Sequence, residues 1–118
     1  LELDAELLVW WIHLGLDTSM LAPRRHVFHV RFSDDKRRYW LVDDGTGPSV
    51  CTTDPGYPVD LTISSDVSSL YQVWLGRVPI AAAVRSGRLT FDGPTELRRL
   101  MPEVLKLSPA APLVAAHR

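Results

Sequence analysis

Residues 54–93 read DPGYPVDLTISSDVSSLYQVWLGRVPIAAAVRSGRLTFDG, and the fold is decided within them. Asp54, Pro55, Gly56, Tyr57 and Pro58 form a turn cluster. Val59, Leu61 and Ile63 then share one face of an alternating run while Asp60, Thr62 and Ser64 share the other, which is the period of a half-buried strand. Ser65 or Asp66 is placed to cap a helix in which Leu70, Val73 and Trp74 make an i, i+3, i+4 stripe, stopped by Gly76. Pro79 suits the first turn of a second short helix, with Ile80, Ala83 and Val84 inward and Gly87 just past its end. Leu89 and Phe91 alternate with Arg88, Thr90 and Asp92 as another strand. Gly93 and Pro94 then open a helix carrying Leu97, Leu100 and Met101, which Pro102 is expected to kink or divide.

Upstream, Leu7, Leu8, Trp11 and Leu14 fall at helical spacing behind Asp4 as N-cap, predicting a helix over 4–14 with Gly15 as a left-handed C-terminal residue. From His26 to Phe32 the chain alternates, with Phe28, Val30 and Phe32 on one face and Val27, His29 and Arg31 on the other. A turn at 34–37 leads to a strand from Arg38 to Val42, ended by Asp43, Asp44, Gly45 and Gly47, and a third strand covers Ser49 to Thr52. The order is α-β-β-β-β-α-α-β-α. Adjacent strands joined by short turns pair antiparallel, so the expected class is α+β: a mainly antiparallel five-stranded sheet with helices on one face. The Pro- and Ala-rich tail, 108–118, carries no pattern and is expected to be poorly ordered or draped over the domain, whose ordered core covers about 4–107.

The length of 118 residues fits a single domain over 1–118, able to bury roughly two-thirds of its unfolded surface. An apolar fraction of 46% with 23% charged residues is the balance of an ordinary globular protein. Lys and Arg number 13 against 14 Asp and Glu, a net charge of −1, so no global field draws phosphate backbones. The longest basic run, Lys36, Arg37 and Arg38, sits beside Asp34 and Asp35, and no direct nucleic-acid contact is expected from this segment. One cysteine, Cys51, makes no internal disulfide, which fits a reducing compartment; the expected location is cytoplasmic. The apolar stretch from Leu7 to Leu16 contains His13, is too short to span a bilayer and follows no basic segment, so neither a membrane span nor a signal peptide is expected. Leu1 in place of Met leaves open an upstream domain.

Catalytic and metal chemistry finds little to stand on. His26 and His29 are three apart on a strand and point to opposite faces, and His13 and His117 lie at opposite ends of the chain, so no metal and no cofactor are expected. Cys51 reads as a small buried hydrophobe. Asp43, Asp44 and Asp54 sit in turn sequences where Asp is favoured for local hydrogen bonds, and Asp60 adds no acid/base partner in pattern. Gly45, Gly47 and Gly56 match no phosphate-binding loop. No nucleophile, base and oxyanion donor come together, and the chain is read as no enzyme. Trp10 and Trp11 are adjacent helical positions that cannot both point into one core. One of them is therefore an interface candidate toward an upstream domain or a second subunit, a possible homodimer, against ordinary edge packing.

The 54–93 stretch resembles the sterol carrier protein family, whose recurring pattern is a strand written like VDLTI, a capped helix ending in WLG, an alanine-rich helix and then SGRLTFDG. The similarity extends loosely from His26 to Leu107. The preceding RRYWLVDDG is similar to the sterol-carrier-like module at the C-terminal end of some actinobacterial HxlR-type winged-helix transcriptional regulators. What the resemblance implies is a set of helices and a sheet enclosing an apolar tunnel for a lipid, sterol or fatty acyl ligand. Gly76 and Gly87 let the two short helices turn sharply across the sheet, and the alanines permit close approach.

By pattern the lining residues are Phe28, Val30, Phe32, Leu61, Ile63, Leu70, Val73, Trp74, Ile80, Val84, Leu89, Phe91, Leu100 and Met101, each of which serves a solid core equally well. Trp74 stands out because its indole N–H can bond either a ligand head group or a backbone carbonyl. Two functions follow. The first is a non-catalytic binding module whose partner is an apolar small molecule, the effector-sensing C-terminal domain of a transcriptional regulator with its DNA-binding domain upstream. The alternative is a structural or dimerisation domain appended to an enzyme, without a ligand, since sterol-carrier-like domains are also fused to some isomerases, sulfatases and acetyltransferases.

Overall fold

Helix α1, Ala5–Leu14, forms where Asp4 can cap it: the Asp4 carboxylate accepts the N–H groups of Glu6 and Leu7 at 3.0 and 3.3 Å. Its buried positions are Ala5, Leu8, Val9, Ile12 and His13. Of the expected inward set only Leu8 is buried. Trp11 is half-buried, and Leu7 and Leu14 are exposed. The helix carries two apolar stripes at i, i+3, i+4, i+7, namely Ala5, Leu8, Val9, Ile12 and Leu7, Trp10, Trp11, Leu14. The sheet takes the first, whose smaller side chains allow close approach. Gly15 ends the helix at φ −99°, not in the left-handed region expected of it.

The computed structural model describes residues 4–106; the tail at 108–118, Leu107 and His117 lie outside the described residues. The strands are β1 (His26–Phe32), β2 (Asp35–Asp43), β3 (Pro48–Cys51), β4 (Leu61–Ser65) and β5 (Leu89–Asp92), and the helices after α1 are α2 (Val67–Trp74), α3 (Ile80–Arg85) and α4 (Thr95–Val104). The element order and the α+β class are those expected. Strand β2 starts three residues earlier than expected because the turn from β1 is tighter, so that Lys36 and Arg37 join the strand. Strand β3 lies one residue upstream of its expected place. Val59 is exposed ahead of β4.

In space the strands run β3-β2-β1-β4-β5. The β1–β2, β2–β3 and β4–β5 pairs are antiparallel, while β4 lies parallel to β1, with Phe28 opposite Leu61 and Val30 opposite Ile63. The sheet is thus mixed, because the 52–60 connection carries the chain from the β3 edge to the far side of β1. Registers align Tyr39, Val30, Ile63 and Phe91 in one row across four strands. All four helices cover this face, and their buried residues join Phe28, Val30, Phe32, Leu41, Leu61, Ile63, Leu89 and Phe91 in one core. The other face carries a smaller cluster of Val27, Trp40 and Val42, with Cys51 packed against it.

Helix α2 starts at Asp66, whose carboxylate accepts the Ser69 N–H at 2.9 Å, while Asp34 accepts the Val67 N–H at 3.1 Å. Gly76 and Gly87, at φ +78° and +79°, bracket α3 with backbone turns that other residues rarely adopt. Within α3 only Ala83 is buried. Ile80 is half-buried and Val84 is 41% exposed, against its expected inward place, because this side of α3 borders an open cleft. Pro102 does not divide α4. It lies two residues from the helix end, where the N–H it lacks would have closed one of the last turns, and Leu105 still bonds Met101 at 2.8 Å.

Candidate ligand-binding cleft

Helices α3 and α4 and strand β5 border an open cleft. Ile80, Ala81 and Val84 of α3, Leu89 and Phe91 of β5 and Pro102 of α4 give the cleft its apolar surface, with Arg85, Thr90, Thr95, Arg98 and Arg99 around it. Its volume is about 550 Å³, and it is open to solvent. Polar contacts at the rim are few: Arg98 donates to the Thr95 hydroxyl at 3.1 Å, and Arg99 meets Glu96 at 3.5 Å.

Behind the cleft the space narrows sharply. A void of about 20 Å³ is bounded by Ile12, Leu70, Val73, Trp74, Ile80, Leu89, Leu105 and Lys106. A second, of about 10 Å³, lies among Val9, Ile12, Val30, Leu41, Ile63, Leu70 and Leu105. The first shares Ile80 and Leu89 with the cleft, and the second shares Ile12, Leu70 and Leu105 with the first. Together they form a line from solvent to the middle of the sheet. Neither holds more than about one water. The enclosed tunnel that the family resemblance implied is therefore closed by side chains at these points, and the open space lies at the surface beside it.

The fourteen expected lining residues divide accordingly. Ile80, Val84, Leu89 and Phe91 face the cleft; Leu70, Val73 and Trp74 bound the first void; Val30 and Ile63 bound the second. Phe28, Leu61 and Met101 are packed into the core with 0–1% exposure, and Leu100 packs against its edge. Phe32 is buried too, on the wall of a separate polar hollow with Arg31, Ser33, Ser64, Ser65, Asp66, Gly87, Arg88 and Thr90. Trp74 is half-buried and stacks on Trp11, with ring centroids 5.1 Å apart, and on Tyr71 at 6.2 Å. Trp11 is thereby drawn into the structure, while Trp10 is 51% exposed with its ring 4.4 Å from His13.

Pattern reading passed over Ala81, Arg85, Thr90, Thr95, Arg98, Arg99 and Pro102. A signal existed. Thr95, Arg98, Arg99 and Pro102 stand at i, i+3, i+4, i+7 on α4, one continuous face, but its mixed chemistry does not register as an apolar stripe. His26 and His29 lie on opposite faces of β1: the His26 ring stacks on Phe28, and the His29 ring stacks on Trp40 at 4.8 Å.

The five-stranded mixed sheet with all helices on one face recurs in solved structures. Palmitated SCP2L2 from Aedes aegypti matches with a TM-score of 0.63 at 15% identity over 87% of this chain and 95% of that one. The ubiquinone synthesis protein UbiJ-SCP2 matches at 0.59, with 21% identity over 86% of this chain and 84% of that one. The fold is that of the sterol carrier proteins. A double mutant of the sec-alkyl sulfatase PisA1 matches at 0.68 with 17% identity, covering 92% of this chain but 17% of that one. The chain therefore spans a small fraction of that enzyme's length. No family model matches the sequence, and no curated protein does. At these identities the likeness is one of fold. No helix among the described residues is long and apolar enough to cross a membrane.

Proposed function

We propose that this chain is a non-catalytic binding module for an apolar ligand of lipid, sterol or fatty acyl type, seated in the α3–β5–α4 cleft. The observation that carries the reading is the cleft itself: an apolar floor of Leu89 and Phe91, apolar flanks from Ile80, Ala81, Val84 and Pro102, and a volume of about 550 Å³. Small-molecule sites occupy about 300–1,000 Å³. Two solved structures of the fold support the ligand class, the palmitated SCP2L2 and a sterol carrier protein 2 from Aedes aegypti in complex with palmitate.

Magnitudes then say how such a ligand must sit. An alkyl chain lying in an open cleft buries on the order of 200 Å², worth roughly 5 kcal/mol gross, which association costs of about 4 kcal/mol or more nearly cancel. Tight binding requires the chain to pass between Ile80 and Leu89 into the line of voids. Helix α3 is built to yield there: six residues, one of them buried, between two glycines with positive φ. Thermal denaturation of the protein with and without palmitate below its micelle concentration tests the reading. Palmitate should raise the melting temperature of the wild type and not that of Val84→Trp, which fills the cleft from an exposed position. No rise in the wild type, together with no apolar molecule in its organic extract, refutes it.

The finer role, effector sensing in a transcriptional regulator, is supported by the RRYWLVDDG resemblance alone. In the structure that segment builds β2 and its turn, with Tyr39 and Leu41 in the core and Asp43 accepting the Gly45 N–H at 2.8 Å. The sequence encoded upstream of Leu1 tests the role: a winged helix supports it and an enzyme domain refutes it. A second reading, an interaction module, is favoured by the exposed stripe of Leu7, Trp10 and Leu14 on α1. It predicts self-association in sedimentation velocity that Trp10→Ser abolishes; a monomer at all concentrations refutes the homodimer.

A further inference from the structure

The cleft is apolar within and cationic at its rim. Three of the eleven residues around it are arginines, Arg85 from α3 and Arg98 and Arg99 from α4, and none is Asp or Glu. In a chain of net charge −1 this is a local concentration of positive charge at one opening. Among the described residues, Arg99 reaches a carboxylate, Glu96, Arg98 bonds only the neutral Thr95 hydroxyl, and Arg85 takes part in no ion pair. Arg85 belongs to the α3 side of the cleft and Arg98 to the α4 side.

From this placement we infer that the cleft selects an anionic amphiphile: a single alkyl chain ending in an oxygen anion, whose head group is held by Arg85 and Arg98 while its tail lies over Leu89 and Phe91. The inference rests on the cleft being the ligand site. The physical case is one of complementarity. A guanidinium offers a planar fork of N–H donors that matches a carboxylate, sulfate or phosphate, and it keeps its charge at any working pH. A neutral alcohol or sterol hydroxyl uses one donor at most and gains nothing from the charge. A cationic head group meets repulsion. The rim would thus sort ligands that the apolar floor alone treats alike.

Calorimetric titration of the whole chain with hexadecanoate, hexadecyl sulfate, hexadecyl phosphate and hexadecan-1-ol, all below their micelle concentrations, tests the inference at constant tail length. At low salt the anions should bind roughly tenfold or more tightly than the alcohol, about three- to tenfold per arginine after solvent screening. The gap should narrow as salt approaches about 0.5 M. In the double variant Arg85→Gln/Arg98→Gln the anions should fall to the alcohol's affinity while the alcohol is unchanged. The order among the three anions identifies which head group fits the fork. Equal affinity of the alcohol and all three anions overturns the inference and leaves the cleft reading standing, as does an arginine variant that weakens acid and alcohol alike. If no amphiphile binds, the cleft reading itself has failed and takes the inference with it. Circular dichroism of the variant, with both substitutions at exposed positions, confirms that the fold is intact.

Discussion

Ile80→Ala is the substitution that bears most directly on how a ligand would enter. Ile80 is half-buried and stands on both the cleft and the 20 Å³ void behind it, so its side chain is part of the wall between them. Truncation removes three carbons, which at about 0.8 kcal/mol each would cost roughly 2.4 kcal/mol if fully buried. Half exposure reduces this to about 1.2 kcal/mol, and the better helix propensity of alanine returns a few tenths. The expected loss of stability is about 1 kcal/mol, or a melting temperature lower by roughly 4–6 °C. Binding should move the other way. With the wall thinned, about two more methylenes of an alkyl chain become buried, worth about 1.6 kcal/mol or roughly 15-fold in affinity. Titration of a series of saturated fatty acids below their micelle concentrations reads this as a plateau. Wild-type affinity should rise with chain length and level off, and in Ile80→Ala the levelling should shift by about two carbons. Identical plateaus would refute the path between Ile80 and Leu89. A stability loss of about 3 kcal/mol or more would show that Ile80 belongs to the core and not to a thin wall.

Two further predictions concern the scaffold. Asp66→Ala should cost about 1 kcal/mol in urea denaturation, since it removes the acceptor for the Ser69 N–H, while Asp66→Asn should retain most of that stability; equal losses in the two would argue against a capping role. The second is a pH dependence centred on His29. Burial pushes its imidazole below the usual value, with Arg31 and Arg38 acting in the same direction and Asp54 opposing them. The unfolded chain therefore takes up the proton first, so the contribution is fully present above the unfolded value of about 6.5 and is lost as pH falls through it toward the lower folded value. The melting temperature should decline with pH below about 6.5, and His29→Gln should flatten that part of the curve. An unchanged slope would exclude His29 as its source.

Most of the fold was legible because its elements are punctuated locally. Asp4 and Asp66 cap the helices they precede, Gly76 and Gly87 terminate the short ones with positive φ, and Phe28, Val30 and Phe32 of the alternating run all lie in the main core. The parallel pairing of β4 with β1 was not legible. Short turns declare their own antiparallel partners, but the 52–60 connection has no preferred destination until β1 presents Phe28 and Val30 as neighbours for Leu61 and Ile63. The inward face of α1 was misassigned for a related reason. Two apolar stripes compete on one helix, and only the sheet beneath decides between Leu8 with Ile12 and Leu7 with Leu14.

The cleft was half legible, and the division is physical. Periodicity reports which residues leave water, so it found the floor, Leu89 and Phe91, and equally found Phe28, Leu61 and Met101, which have left water to fill space completely. A vacancy has no periodicity of its own. It lies here where α3, a helix of six residues, and α4, which begins only beyond β5, flank the sheet's last strand, whose Leu89 and Phe91 are themselves buried. The polar half of the site was written on α4 as Thr95, Arg98, Arg99 and Pro102, at the spacing of one helical face, yet such a face is ordinarily solvated. Its meaning depends on what else borders the cleft, and Arg85 of α3 borders it too. Charge from two separate helices meeting over an apolar floor is a property of the assembled chain, which is why the arginine pair, and not any single residue of the carrier-like pattern, is the sharper test of what this protein holds.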